Sequence, residues 1–157
     1  MLPTLETSTQ YRNWMFFEDP EKFDRVNLNR IKKYTVHYQK ILHLNPSADA
    51  ETIDKEDEAA ILNFYIWQII DLCKDSLPPK VESAAITFFK RFFLHRPLFI
   101  DDDDPANLIR PCIYIACKIE ELHVDVEKLA KILKDTKFEK FEHIELRILK
   151  TINFELK

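Results

Sequence analysis

The stretch that decides the fold is PANLIRPCIYIACKIEEL, residues 105–122. Between Cys112 and Ile119 it is apolar on most sides, as expected of a helix that is surrounded by the rest of a protein. Asp104 and Pro105 form a typical helix start, an N-cap acceptor followed by proline at the first helical position. Pro111 removes one backbone hydrogen bond, so either the helix bends there or its regular part begins later. The sequence therefore predicts a buried central helix.

Helical periodicity continues on both sides of this stretch, with prolines between the periodic segments. In the second predicted helix, Ala60, Ile61, Phe64, Trp67 and Gln68 fall at helical spacing. In the third, a wide apolar stripe is formed by Val81, Ala84, Ala85, Phe88, Phe89 and Phe92. The predicted helices span Asp19 to about Leu44, about Thr52 to Lys74, Lys80 to His95, Asp104 to Leu122, Val126 to Leu133, and about Glu139 to Ile152.

No segment alternates with a period of two, so the sequence predicts an all-α architecture, a five-helix unit built around the central buried helix. An N-terminal segment and helix, residues 1–50, precede this five-helix unit, residues 51–157. The polar leader contains Trp14 and Phe16. Since large aromatic side chains are unusual in a free tail, we expect both to pack against the unit or a partner.

The composition of the chain excludes several functional classes. Its 157 residues carry a formal charge of −4, whereas a strong nucleic-acid binder usually has a basic surplus. The chain contains no glycine, which phosphate-cradling loops and tight hairpins generally need for positive backbone angles. We therefore expect neither a nucleotide-binding loop nor direct binding to nucleic acid, and instead helices joined by short loops.

The sequence offers little support for catalysis or a metal site. The three cysteines lie in apolar runs without metal spacing and indicate reduced core thiols, and none of the five histidines is close to another ligand. The run Asp101–Asp104 lacks the alternation and the glycine of a calcium loop, so we interpret it as a solvated loop whose last residue caps a helix. We expect no cofactor, no metal and no enzyme activity.

Neither targeting nor membrane insertion is indicated by the sequence. Residues 1–10 lack the apolar region of a signal peptide, and no apolar run approaches the roughly 20 residues needed to cross a bilayer.

Lys90 and Arg91 beside phenylalanines suggest a nucleic-acid stacking surface, although phenylalanines at helical spacing more often belong to a core. Lys118 is unusual in an apolar helix. It either extends to the surface and pairs there, for example with Glu121, or binds a partner.

The segment around Lys118 carries a family resemblance. Residues 116–121, Ala-Cys-Lys-Ile-Glu-Glu, closely resemble the Ala-(Ser/Cys)-Lys-x-(Glu/Asp)-Glu signature of cyclins. Residues 88–92, Phe-Phe-Lys-Arg-Phe, are similar to a motif of transcriptional cyclins, and Trp67 falls where many cyclins have a tryptophan. Residues 145–156 resemble the end of the fifth cyclin helix. The leader, residues 8–16, is similar to the start of cyclin H, so this type ranks before cyclin C and other transcriptional cyclins.

The resemblance implies a five-helix cyclin box, here only the first of two repeats, in a nuclear regulatory subunit. It implies binding and activation of a cyclin-dependent kinase in the kinase-activating complex of transcription factor IIH, with a ring-finger assembly subunit as third member. The implied kinase-binding residues are Lys118, Glu145, Glu121, Ile119 and Phe89. Residues 60–64 lack the arginine of the docking patch of cell-cycle cyclins, which argues against substrate docking there. A cyclin C-like Mediator kinase activator and a IIB-type DNA-binding factor are the alternatives.

Overall fold

The computed structural model describes residues 20–44, 55–100, 103–134 and 142–156. Over these ranges the chain forms helices and connecting turns without a β-strand. The helices are α1 (Pro20–Leu44), α2 (Lys55–Cys73), α3 (Pro79–His95), α4 (Pro105–Ile119), α5 (Val126–Ile132) and α6 (Glu142–Thr151). The predicted all-α architecture is confirmed. The prediction for Trp14 and Phe16 lies outside the described residues.

Helix α4 lies at the centre of the packing, as the sequence predicted. It contacts α2, α3 and α6. Ile115 is 2 % exposed and Ala116 is fully buried. Pro111 lies within the helix, whose helical residues run from 105 to 119, so the regular part begins before this proline. Each fully buried aliphatic side chain stabilises the fold by about 1.5–3 kcal/mol relative to an exposed one.

Helix α3 forms the largest contact with α4 and presents the predicted aromatic stripe to it. Phe89 packs edge-to-face on Phe93, with ring centroids 5.0 Å apart, and Phe92 packs on the same ring at 5.1 Å. All three side chains are fully buried. The interpretation of this segment as core is therefore confirmed over the alternative of a stacking surface for nucleic acid.

Helix α2 leaves part of its apolar surface exposed to solvent. Phe64 is 60 % exposed and Trp67 is 69 % exposed. The side chains that enter the core are instead Ile69 and Cys73, with Tyr65 partly buried in the same row. Since α2 is covered on one side only, residues of the adjacent row remain in solvent although they are equally apolar. The helical spacing of Phe64 and Trp67 thus marks a helix but not the side that is buried.

Helix α1 is held to the other helices by a partly buried polar network. Arg30 forms an ion pair of 3.0 Å with Glu58 on α2 and donates to the carbonyl oxygen of Phe93 at the end of α3, also at 3.0 Å. The Tyr34 hydroxyl donates to Glu58 at 3.0 Å and accepts from the amide of Leu98 at 2.6 Å. Burial raises the pKa of Tyr34 above its ordinary value, so this hydroxyl stays neutral.

The connection between α3 and α4 is held by Asp103, whose side chain is fully buried. One carboxylate oxygen accepts from Arg96 at 2.6 Å, and the other lies 3.3 Å from a guanidinium nitrogen of Arg147 on α6. The interpretation of the aspartate run as a solvated loop was wrong for this residue, because two arginines balance its charge. Its neighbour Asp104 caps α4 as predicted, accepting from the amide of Ala106 at 2.9 Å.

Several helices end in residues with a left-handed backbone, although none of these residues is glycine. After α4, Glu121 has φ 58°, and the amide of Leu122 donates back to Cys117 at 2.8 Å. After α6, Asn153 has φ 55°, and the amide of Phe154 donates back to Leu149 at 2.8 Å. These bonds close Schellman motifs, which satisfy carbonyl groups left without partners at a helix end.

Candidate functional site

The candidate site is built from the end of α4 and one face of α6. The cap at Asp104 and the apolar periodicity of α4 fix the rotation of this helix, so that Lys118 emerges at its carboxyl end. Helix α6 packs on α4 through Ile148, which is fully buried. This packing brings Glu145, one turn earlier on α6, to the same surface as Lys118.

Lys118 and Glu145 form a direct ion pair. The ammonium nitrogen lies 2.6 Å from a carboxylate oxygen of Glu145. The Lys118 side chain is 47 % exposed and that of Glu145 is 17 % exposed, so the pair is open to solvent on the lysine side. The same ammonium lies 4.3 Å from the centroid of the Tyr114 ring, one helical turn back on α4. Aromatic face and carboxylate together hold the lysine in one place.

Lys118 borders an open groove of about 460 Å³. Tyr114 and Lys118 form one wall, and the turn after α4 forms the other with Glu121, Leu122 and His123. The left-handed backbone at Glu121 turns the chain sharply here, and Glu121 itself is exposed. The arrangement is a mixed surface with a cation, carboxylates and apolar edges, which suits contact with a polypeptide.

The remaining predicted site residues have different positions. Ile119 is partly buried against the core. Phe89 is fully buried on α3 and offers no atom to a partner. Its contribution to kinase binding can therefore only be indirect, through its packing in the core beneath the site. Sequence reasoning missed Tyr114. The available signal was its spacing of four residues from Lys118, which places an aromatic ring under the ammonium on a helix.

Two features of the described residues bear on metal binding and on the reactivity of the thiols. Within residues 20–44, 55–100, 103–134 and 142–156, no group of three or more His, Cys, Asp or Glu side chains is placed to hold a metal ion. Burial raises the pKa of the Cys117 thiol to about 11 and that of Cys73 to about 12, and it raises the pKa of Cys112 as well. Thiols with such pKa values are poor nucleophiles near neutral pH.

No helix in the described part of the chain is both long enough and apolar enough to span a membrane.

Comparison with known proteins defines the family. Residues 30–157 match the cyclin N-terminal domain, and the chain belongs to the cyclin family. It is 30 % identical over 151 residues to a putative cyclin-H of Dictyostelium discoideum, covering 95 % of this chain and 50 % of that protein. It is 27 % identical over 161 residues to cyclin CCL1 of Saccharomyces cerevisiae, covering 95 % and 40 %. The predicted resemblance to cyclin H is confirmed by these relatives.

A rice relative, cyclin-C1-1, is 26 % identical over 105 residues, covering 60 % of this chain and 39 % of the rice protein. The chain spans about half the length of the curated relatives it matches.

Two solved structures share the fold. A chain of the yeast TFIIK (Kin28/Ccl1/Tfb3) complex superposes with a TM-score of 0.70 at 24 % identity, over 97 % of this chain and 57 % of that one. A chain of the CAK complex of Chaetomium thermophilum bound to ATP-γ-S superposes with a TM-score of 0.81 at 20 % identity, over 97 % and 47 %. These likenesses establish the cyclin-box fold.

Proposed function

We propose that this chain is the kinase-binding part of a regulatory cyclin, which binds a cyclin-dependent kinase and activates it without being an enzyme itself. The observation that carries the proposal is the ion pair of Lys118 and Glu145 on the surface of a cyclin N-terminal domain. The Ala-Cys-Lys segment around Lys118 resembles the cyclin signature, and α6 brings Glu145 to it from 27 residues away.

The physical basis of activation is a shift between two positions of a kinase helix. Kinase activity requires that a glutamate on this helix pairs with the lysine that binds the nucleotide phosphates. A cyclin that binds only the inward position of the helix raises the population of the active state by its difference in affinity for the two positions. The chain then needs a rigid surface rather than catalytic groups, and α4, α3 and α6 supply one.

In this proposal Lys118 and Glu145 form bonds to the backbone of the kinase beside that helix. The lysine donates to carbonyl groups and the glutamate accepts from amide groups. Charge-assisted bonds shielded from water contribute about 1.5–3 kcal/mol each. Two such bonds change the affinity by about two or more powers of ten. If the pair served only as an exposed intramolecular ion pair, its contribution would be about 1 kcal/mol or less.

We further propose that the complex is a cyclin-dependent-kinase-activating kinase associated with transcription factor IIH, and that it acts in the nucleus. The support is that relatives include cyclin-H and CCL1, and that the yeast TFIIK structure contains Kin28, Ccl1 and Tfb3. By this analogy the chain would assemble with a kinase and a third subunit, which we expect to be a ring-finger assembly factor. The rice cyclin-C relative keeps a Mediator-type kinase as the second candidate.

A IIB-type DNA-binding role has less support. Such a repeat would be expected to carry a basic surplus, because contacts to phosphates dominate affinity for DNA. The formal charge of −4 opposes this role. A salt-dependent gel shift with duplex DNA distinguishes the two functions.

The test is co-purification of the chain with a panel of cyclin-dependent kinases, followed by a kinase assay. The decisive variant is Lys118→Ala with Glu145→Ala, and the matched control is Lys128→Ala with Glu127→Ala, an exposed lysine and glutamate on α5. We expect the first variant to fold with a near-normal melting temperature but to lose about a hundredfold or more in kinase affinity. The control should activate fully. Full activation by the first variant would refute the site, and no binding to any kinase would refute the function.

A further inference from the structure

A second surface, distinct from the residues of the kinase-binding proposal, lies between α1 and the connection that follows α3. It is an open groove of about 300 Å³. Lys32, Lys33 and Lys40 line it along α1, and all three are exposed. Its lining also includes Val36 from α1 and a short stretch of the α3–α4 connection, Pro97 and Ile100. None of these residues belongs to the groove beside Lys118.

The charge of this groove is opposite to that of the chain. Helix α1 contains six lysines and arginines and two carboxylates, whereas the whole chain has a formal charge of −4. From Arg30 to Leu44 the helix contains no aspartate or glutamate. Residues 32, 33, 36 and 40 fall within one side of a helix because they are spaced by about one or two turns. The three lysines therefore lie on one side of α1, before and after Val36.

One cation of the groove is neutralised by an ion pair within the chain, whereas another is bonded to a neutral group. Arg96, which also lines the groove, is bonded to Asp103 at 2.6 Å and holds the connection in place. Lys33 donates to the carbonyl oxygen of His95 at 3.1 Å, and this neutral acceptor leaves the positive charge of the lysine in the groove. Lys32 and Lys40 lie one turn on either side of Val36.

The base of the groove is apolar. Pro97 is buried, Ile100 is 8 % exposed, and Val36 is 51 % exposed. Apolar groups flanked by cations fit a ligand that alternates carboxylates with aliphatic side chains. A nucleic acid would use the lysines but would leave an aliphatic base without a contact, since its bases stack on aromatic rings instead.

We propose that this groove, formed by Lys32, Lys33, Val36, Lys40, Pro97 and Ile100, is a docking site for an acidic, leucine-containing peptide segment of a partner protein. The lysines bind the carboxylates of the segment, and the aliphatic base takes one of its apolar side chains. The opposite charges of groove and segment speed their association and set the orientation of the bound peptide. The apolar contact adds buried surface, which exposed ion pairs alone do not provide.

The test uses the full chain and a fluorescein-labelled peptide with three repeats of Asp-Glu-Leu, with binding followed by fluorescence anisotropy. Two control peptides carry Asn-Gln-Leu or Asp-Glu-Ser repeats, which remove the charge or the apolar groups. The decisive variant is Lys32→Glu with Lys40→Glu. The matched control is Lys128→Glu with Lys131→Glu, two exposed lysines on α5 with the same change in net charge. Thermal unfolding of each variant shows that it is folded.

We expect the Asp-Glu-Leu peptide to bind, and the groove variant to weaken its binding by about tenfold or more. The control variant should change affinity by less than about threefold, and both control peptides should bind more weakly than the test peptide. Affinity should fall as salt rises. Equal losses in the two variants, equal binding of the Asn-Gln-Leu peptide, or no binding up to about 1 mM would overturn the proposal.

Three further outcomes would assign the groove to another occupant and would also overturn the proposal. The first is tighter binding of an oligothymidylate that is lost in the groove variant. The second is a dimer in sedimentation that the groove variant dissociates. The third is peptide binding seen only after Asp101→Asn with Asp102→Asn, which would identify the chain's own acidic run as the occupant.

Discussion

Replacing Glu58 by alanine tests whether α1 is an integral part of the cyclin fold. Glu58 is 7 % exposed and lies at the start of α2. It accepts from Arg30 and from the Tyr34 hydroxyl, each at 3.0 Å, and so links α1 to α2. In the variant, the guanidinium of Arg30, whose side chain is 13 % exposed, loses its anion. The hydroxyl of Tyr34 loses its acceptor at the same time.

The magnitude follows from what remains in the network. Breaking a buried ion pair costs about 3–5 kcal/mol when the partner charge is left without compensation. Arg30 keeps two acceptors, the carbonyl oxygen of Phe93 at 3.0 Å and the side chain of Asn27 at 2.8 Å. We therefore expect a loss of about 2–3 kcal/mol in the free energy of unfolding. For a chain of this size the melting temperature should fall by about 5–10 °C.

Thermal and urea denaturation measure this loss, and Asp71→Ala provides the matched control because Asp71 is an exposed carboxylate on the same helix. The control should shift stability by about 0.5 kcal/mol or less. Glu58→Gln should give an intermediate loss, since it removes the charge but keeps an acceptor for Tyr34. In Glu58→Ala, the backbone amides of α1 should lose more protection from hydrogen exchange than those of α4. The reasoning is refuted if Glu58→Ala is no less stable than Asp71→Ala.

Three further predictions concern the core, the thiols and one histidine. Phe92→Ala should lower the free energy of unfolding by about 3–5 kcal/mol, and Trp67→Ala by less than about 1 kcal/mol; similar urea midpoints would contradict the burial of these two residues. The three cysteines should react slowly with a thiol reagent at pH 8 and fully in urea, and rapid native labelling would show that they are accessible. Burial, with the charge of Lys33, lowers the pKa of His95 below its ordinary value of 6.5. Because the unfolded state then binds the proton more tightly, stability is complete above about pH 6.5 and falls as pH drops below it. His95→Gln should reduce this loss of stability at low pH. An unchanged pH dependence of stability in this variant would show that His95 is not its cause.

The fold was largely predictable because its helices follow patterns that are local in the sequence. Asp104 and Pro105 mark the start of α4, and the buried apolar run after them needs no knowledge of the neighbours. The exposed row of Phe64 and Trp67 on α2 was not predictable in this way. Apolar residues cover more of the circumference of that helix than its neighbours do, and the sequence does not say which part stays in solvent.

Long-range polar contacts were the other part that the sequence alone did not predict. From sequence alone, Asp103 and Glu58 resemble surface carboxylates. In the structure Asp103 pairs with Arg96 of the same connection and with Arg147 of α6, and Glu58 pairs with Arg30 of α1. The cyclin resemblance named both Lys118 and Glu145 as kinase-binding residues, but the local pattern offered Glu121 as the partner of Lys118, and the direct ion pair with Glu145 became visible only in the structure. Whether this pair binds a kinase stays a prediction.

The absence of glycine at the helix ends affects the free energy of folding through the entropy of the unfolded chain. A left-handed residue other than glycine costs about 1–2 kcal/mol in the native state, and Glu121 and Lys134 both adopt this conformation. A residue with a side chain, however, samples fewer backbone states before folding than glycine does, which favours folding by about 0.4–1 kcal/mol per position. Much of the local strain is thus offset in the disordered ensemble. A polymer with no glycine among its 157 residues begins its collapse from a narrower distribution of shapes.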